Sequence, residues 1–247
     1  MIILWIILFS ILGSIGAIIT AAAFLLFKKK IQDVLIPCLI AYATGTLLAA
    51  ALLGLIPHAL EHVSPLPVLS TLLAGILLFF LLEKLVIWRH CHNAKCDVHK
   101  SAGSMILIGD AFHNIVDGVI IAATFLISVP VGIVAGLSII AHEIPQEVGD
   151  FAILLNSGYP KKKALSLNIL SSLTTLPAAI VAYFALETVH DIIPYIMAIS
   201  AASFLYISLV DLSPELHRKV GISHAIRQFL LMLAGVGTII LVLQFHP

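Results

Sequence analysis

Long apolar runs alternate with short polar or Pro/Gly-bearing breaks along the chain, and the breaks leave eight apolar segments, roughly 2–27, 34–60, 66–88, 104–127, 129–156, 162–186, 192–213 and 225–245. Each reaches the ~20 residues that a helix needs to cross a hydrocarbon core of about 30 Å. Lipid admits only helices and closed barrels as spanning structures, and these runs are too long and too unalternating for barrel strands. The pattern predicts an all-α membrane protein, a bundle of eight transmembrane helices. It forms a single transmembrane domain over residues 1–247, with a cytoplasmic His/Cys loop at about 89–103.

Composition removes the soluble alternative. The chain is 61% hydrophobic and 11% charged, whereas a soluble domain is about half apolar and about a quarter charged. The first run has no basic stretch before Ile2 and is too long for a signal-peptide core, so it is read as a retained first helix. Three cysteines make no disulfide framework: Cys38 lies in an apolar segment, and Cys91 and Cys96 share one short polar loop.

Net charge is zero, and its distribution carries the information. All thirteen Lys and Arg residues lie at or near odd-numbered loops: Lys28 to Lys30; Lys84, Arg89, Lys95 and Lys100; Lys161 to Lys163; and Arg218, Lys219 and Arg227. The positive-inside rule then puts the odd loops in the cytoplasm and both termini on the outer side. The outer loops carry Glu61, His62, Glu187, His190 and Asp191, a sparse acidic decoration suited to concentrating cations at the mouth of a pathway; ordinary solvated loops are the bland alternative.

The chemistry concentrates in segments four and five. Asp110, His113, Asn114 and Asp117 are spaced by three and four residues and share one helical face. In segment five, His142 and Gln146, Glu143 and Glu147, and Gln146 and Asp150 are each four apart. At ~1.5 Å per residue, His113 and His142 fall near mid-membrane, where each ionisable group costs a few kcal/mol and is expected to be paired or functional. Imidazole, carboxylate and amide oxygen make an N/O site suited to Zn²⁺, Fe²⁺ or Mn²⁺, without the thiolates of a tight structural zinc. The competing reading is a self-satisfied polar network, but no Lys or Arg lies nearby in sequence to balance the carboxylates. Pro145 lacks an N–H and leaves the carbonyl of Ala141 without its helical donor beside the site, as a freed ligand or a purely mechanical kink. Gly118 and Gly149 are expected to let helices four and five approach closely.

At these residues the sequence resembles the ZIP (Zrt- and Irt-like protein) family of divalent metal transporters over essentially its whole length. His113-Asn114-x-x-Asp117-Gly118 is similar to the family's helix-four signature, and His142-Glu143-x-Pro145-Gln146-Glu147-x-Gly149-Asp150 to its helix-five pattern H-E-x-P-H-E-x-G-D. The runs Phe79 to Lys84 and Phe204 to Asp211 resemble the branch with that longer signature. The resemblance implies metal transport toward the cytoplasm, with His113, Asp117, His142 and Gln146 as the primary site and Asn114, Glu143 and Glu147 beside it. Two departures stand out. Gln146 replaces the usual His or carboxylate, and Ser171 to Pro177 in helix six contains no acid where many members have a Glu ligand. These changes lead us to expect one principal site rather than two. In helix two, small residues around Ala50 and Gly54 stand before Ile56-Pro57, leaving His58 as the first polar group.

Further candidates line a pathway: His58, Glu61 and His62 at the outer end, and Asp110, Asp150 and Asp211 toward the inner end. The loop residues His90, Cys91, His92, Cys96 and His99, with C-x-x-H at Cys96, form a possible second zinc-binding segment, against the alternative of a solvated linker with reduced thiols. No cofactor and no enzymatic activity are expected; Zn²⁺ is the first candidate as transported substrate, with Fe²⁺, Mn²⁺ and Cd²⁺ as further ones. The expected partners are divalent ions and the lipid bilayer, with no nucleic acid and with a homodimer left open. The compact chain is consistent with a prokaryotic inner membrane, an organelle membrane being the alternative. Two other functions compete: a membrane metal sensor or scaffold, and an intramembrane metalloprotease reading H-E-x-x-H, in which Gln146 fills the place of the second His.

Overall fold

The computed structural model describes the backbone of residues 1–24, 26–90, 98–186, 190–218 and 221–245, and the side chains within them except those of residues 29, 83, 85–90, 98–106, 152, 153, 156, 190 and 245. Eight helices are long and apolar enough to cross a membrane: α1 (Ile2–Phe24), α2 (Lys30–His62), α3 (Pro65–Leu82), α4 (Leu107–Ile127), α5 (Val129–Phe151), α6 (Lys161–Leu186), α7 (Ile193–His217) and α8 (Ile222–Gln244). They coincide with the eight segments expected from the apolar pattern, and the described residues contain no strand. The helical backbone of α3 continues to His90, α4 begins at Val98, and α5 extends to Asn156.

Two thirds of α2 and α7 is buried, against 11% of α3 and 17% of α8, so the former are central and the latter face lipid. The main core joins Ile6 and Phe9 of α1, Leu47 and Leu55 of α2, Ile121 and Phe125 of α4, Val134 and Ile139 of α5, and Met197 and Phe204 of α7. Phe9 and Phe125 meet with ring centroids 5.3 Å apart. In lipid such contacts act through close packing rather than release of water.

Prolines shape the spanning helices. Widened π turns occupy Ala50–Leu55 in α2 and Ile207–Leu212 in α7, each just before a proline, Pro57 and Pro214. A proline ring has no N–H to give and pushes on the carbonyl four residues back, which a wider turn accommodates. In α6 the effect is a break: helices Lys161–Ser172 and Thr175–Leu186 are separated by a turn at Leu173 and Thr174, where Pro177 has no N–H for the carbonyl of Leu173. By contrast α5 runs unbroken through Pro145.

The glycine expectation is corrected. Gly118 faces α6, not α5: a Cβ there would lie 2.3 Å from the carbonyl oxygen of Thr175 and 2.9 Å from the nitrogen of Ala179, while nothing lies within 4 Å of one on Gly149. The glycine is required because the α4 and α6 backbones touch. We therefore expect Gly118→Ala to destabilise the bundle by about 1–3 kcal/mol through overpacking, with Gly149→Ala close to neutral. Thermal unfolding of the two variants in one detergent checks this, and equal melting temperatures would contradict the assigned contact.

Candidate metal site between helices four and five

Because α4 and α5 are antiparallel neighbours joined at Ser128, their polar stripes face each other along the same stretch of the bundle. His113 and Asp117 from α4 meet His142 and Glu143 from α5, and one ligand atom from each lies within 4.8 Å of all the others. The Nε2 atoms of the two histidines are 3.0 Å apart. His113 Nε2 lies 3.7 Å from Asp117 Oδ2 and 3.5 Å from Glu143 Oε1. His142 Nε2 lies 3.4 Å from Asp117 Oδ2 and 3.7 Å from Glu143 Oε1. Donors around a tetrahedral ion with bonds of about 2.0–2.1 Å stand about 3.3–3.4 Å from one another. The cluster is already at that spacing.

The electrostatics point the same way. Asp117 and Glu143 are each 1% exposed, and all four of their carboxylate oxygens are buried without a hydrogen-bond partner. Among the described residues no Lys or Arg forms an ion pair with them. Buried carboxylates without donors are costly, and a coordinated cation is one of the few groups that can satisfy them. His142 is oriented for this role: its Nδ1 donates to the Ser138 carbonyl at 2.9 Å, which assigns the tautomer and turns Nε2 and its lone pair into the cluster. Phe204 of α7 stacks edge-on against the same ring, 6.2 Å between centroids.

The remaining stripe residues are tied into α6 and to one another. Asn114 donates from Nδ2 to the Asp110 carbonyl and to Asp110 Oδ1, and accepts at Oδ1 from the Thr175 hydroxyl at 2.7 Å. Gln146 donates from Nε2 to Asp110 Oδ1 at 3.2 Å. Glu147 accepts from Asn168 and Ser172 of α6. At the break in α6 the Thr174 hydroxyl donates to the Ala111 carbonyl of α4 at 3.0 Å, beside Thr175. Reading α6 only for an acid overlooks these residues; the pattern Asn168, Ser171, Ser172, Thr175, spaced by three and four, is the signal that marks its polar face.

Other candidates lie apart from the cluster. Asp150 is half-buried, one turn beyond Gln146. His58 Nδ1 is bonded to the Gly54 carbonyl, 2.9 Å away, and Glu61 and His62 are exposed at the end of α2. His62 lines a cavity with Asp191 and Tyr195. Asp211 is exposed on the widened turn of α7. Cys91, His92 and Cys96 lie outside the described residues, as do the side chains of His90 and His99 and the outer-loop residues Glu187 and His190.

A family model described as ZIP Zinc transporter matches residues 89–243. The chain belongs to the ZIP zinc transporter family. Its relatives include zinc transporter ZIP13 of Pongo abelii, 31% identical over 221 residues that cover 82% of this chain and 65% of that protein. Zinc transporter ZIP10 of Danio rerio is 34% identical over 149 residues, covering 58% of this chain and 18% of the relative. Zinc transporter ZIP4 of Homo sapiens is 38% identical over 112 residues, covering 45% and 17%. The chain thus spans from under a fifth to about two thirds of the length of these relatives.

The role of α6 can be checked directly. Thr175→Val keeps the shape but removes the donor to Asn114, leaving its buried oxygen unsatisfied at a cost of about 1–3 kcal/mol, whereas Thr175→Ser retains the bond. Unfolding midpoints should fall for Val and recover for Ser; identical midpoints would mean that the bond contributes nothing.

Proposed function

We propose that the protein transports divalent transition-metal cations across the membrane, zinc foremost, through the His113, Asp117, His142 and Glu143 cluster. The observation that carries the reading is the set of four donors from two spanning helices, already at tetrahedral spacing, with both carboxylates buried and without donors. The family membership and the relatives named as zinc transporters support it. Fe²⁺, Mn²⁺ and Cd²⁺ are further candidate substrates, since N/O ligand chemistry does not separate them from zinc.

The direction we propose is toward the cytoplasm, with the odd loops and their Lys and Arg residues inside and both termini outside. The surroundings of the cluster support this. Toward the α4–α5 turn, each helix presents fully buried apolar residues, Ile120, Ile121 and Phe125 on α4 and Val134 and Ile139 on α5. Toward the opposite end the stripe stays polar through Asp110, Gln146, Glu147 and Asp150. A cation held at the cluster is closed off on one side and has oxygen ligands within a turn on the other. Asp110 and Asp150 are the pathway residues we assign to that exit side, and His58, Glu61 and His62 to the outer mouth.

Liposome uptake tests the proposal. Purified protein should move Zn²⁺ down a gradient, and His113→Ala and His142→Ala should each abolish the flux while the protein stays folded and monodisperse, whereas Cys96→Ala only modulates it. Absence of flux for all four metals with wild-type protein would defeat transport in favour of a sensor or scaffold, and wild-type flux in both His variants would defeat the site.

A further inference from the structure

The first turns of α8 carry a cation inside the spanning segment. Arg227 lies five residues beyond Ile222, where that 23-residue segment begins. At ~1.5 Å per residue the segment is about 34 Å long; centred on a hydrocarbon core of about 30 Å, it sets the Arg227 backbone about 5 Å inside the apolar edge. Among the described residues Arg227 forms no ion pair. Its Nη2 donates to His224 Nδ1 at 3.2 Å, and its Nε is buried with no partner. Glu215, the one carboxylate between Ser213 and Arg227 in sequence, is taken up by Arg218 at 2.9 Å. A guanidinium at this depth is expected to reach toward the membrane surface and to find an anion there.

Arg227 also lines a cavity of about 620 Å³ between α8 and α2, together with Cys38, Ser223, Ile226, Leu230 and Leu231. The order of these residues follows the depth of the membrane. Ser223, with its hydroxyl, lies near the start of the helix, and Leu230 and Leu231 lie two turns further in. Ile226 and Leu230 are exposed, so the groove opens toward lipid. On the α2 wall the Cys38 thiol is already bonded to the Val34 carbonyl at 3.1 Å. We propose that this groove holds one anionic phospholipid, its phosphate on the Arg227 guanidinium and the Ser223 hydroxyl and an acyl chain along Ile226, Leu230 and Leu231. Charge selects the headgroup: between Ser213 and Arg227 the chain has three cations, Arg218, Lys219 and Arg227, against Glu215 alone, and that surplus favours an anionic lipid over a zwitterionic one. The guanidinium can meet a phosphate with two parallel N–H groups. A free phosphate ion would make the same polar contacts but would leave the apolar wall unused.

Native mass spectrometry of the full-length chain in detergent tests this, with phosphatidylglycerol and phosphatidylcholine of matched acyl chains titrated separately. The wild type should retain one phosphatidylglycerol in preference to phosphatidylcholine. Arg227→Gln should weaken phosphatidylglycerol binding by about 10-fold or more, the loss of a charge-assisted pair of hydrogen bonds, and should leave phosphatidylcholine binding unchanged. Leu230→Trp, a substitution at an exposed position that fills the groove and keeps the charge, should lose the same bound lipid while the protein stays monodisperse, which separates the site from any folding defect of the Arg227 variant. Excess inorganic phosphate should not displace the lipid. Equal retention of the two lipids by the wild type overturns the inference, and so does a phosphatidylglycerol preference that survives in both variants. Displacement by inorganic phosphate overturns the lipid as occupant and leaves a site for the ion alone.

Discussion

Carboxylates placed in the middle of a membrane bundle have to be matched by donors or by positive charge, and in this protein the match inside the bundle is incomplete. Asp117 and Glu143 are almost fully buried and receive no hydrogen bonds, and the described Lys and Arg residues make no ion pair with them. The positive charge of the chain is spent at the loops, where it sets orientation. What remains inside is a negative site whose available neighbours are two imidazoles. Much else in the structure can be read as holding this uncompensated charge in place until a cation binds.

Three supports do this. Ser138 fixes the His142 ring from one turn earlier on α5, so that Nε2 faces the cluster. The break in α6, forced beside Pro177, brings hydroxyls and amides against α4 and α5 while Gly118 lets the α4 and α6 backbones touch. The apolar core joining Phe9, Phe125 and Phe204 surrounds the segment toward the α4–α5 turn with low-dielectric side chains, which strengthen attraction between charges nearby. Helices α2 and α8 form a separate contact through mutual glycine approaches, Gly45 on Met232 and Gly235 on Tyr42.

The eight spans were legible because hydropathy over ~20 residues integrates many side chains and tolerates local exceptions. The stripe on α4 and α5 was legible because spacings of three and four are geometric. What sequence could not supply was the direction in which small or neutral residues act. Gly118 could serve either neighbour, and it serves α6. Gln146 occupies a ligand position by pattern, yet its amide is engaged with Asp110, a partner on another helix that spacing within α5 cannot identify. Ser172 and Thr175 look inert when α6 is searched for carboxylates, and their donor role depends on a helix break whose position follows from Pro177 but whose orientation follows from packing. That Glu143 falls into two groups of ligand atoms was invisible for the same reason, since it depends on how α4 packs against α5.

The central claim is that cargo metal binds to imidazole and carboxylate groups inside the bundle. Zinc K-edge X-ray absorption on protein loaded with one equivalent of Zn²⁺ measures this most directly. The predicted spectrum has a first shell of nitrogen and oxygen at about 2.0–2.1 Å with imidazole outer-shell scattering and no sulfur. A sulfur shell at about 2.3 Å, as the loop cysteines would give, or a shell without imidazole, would contradict it.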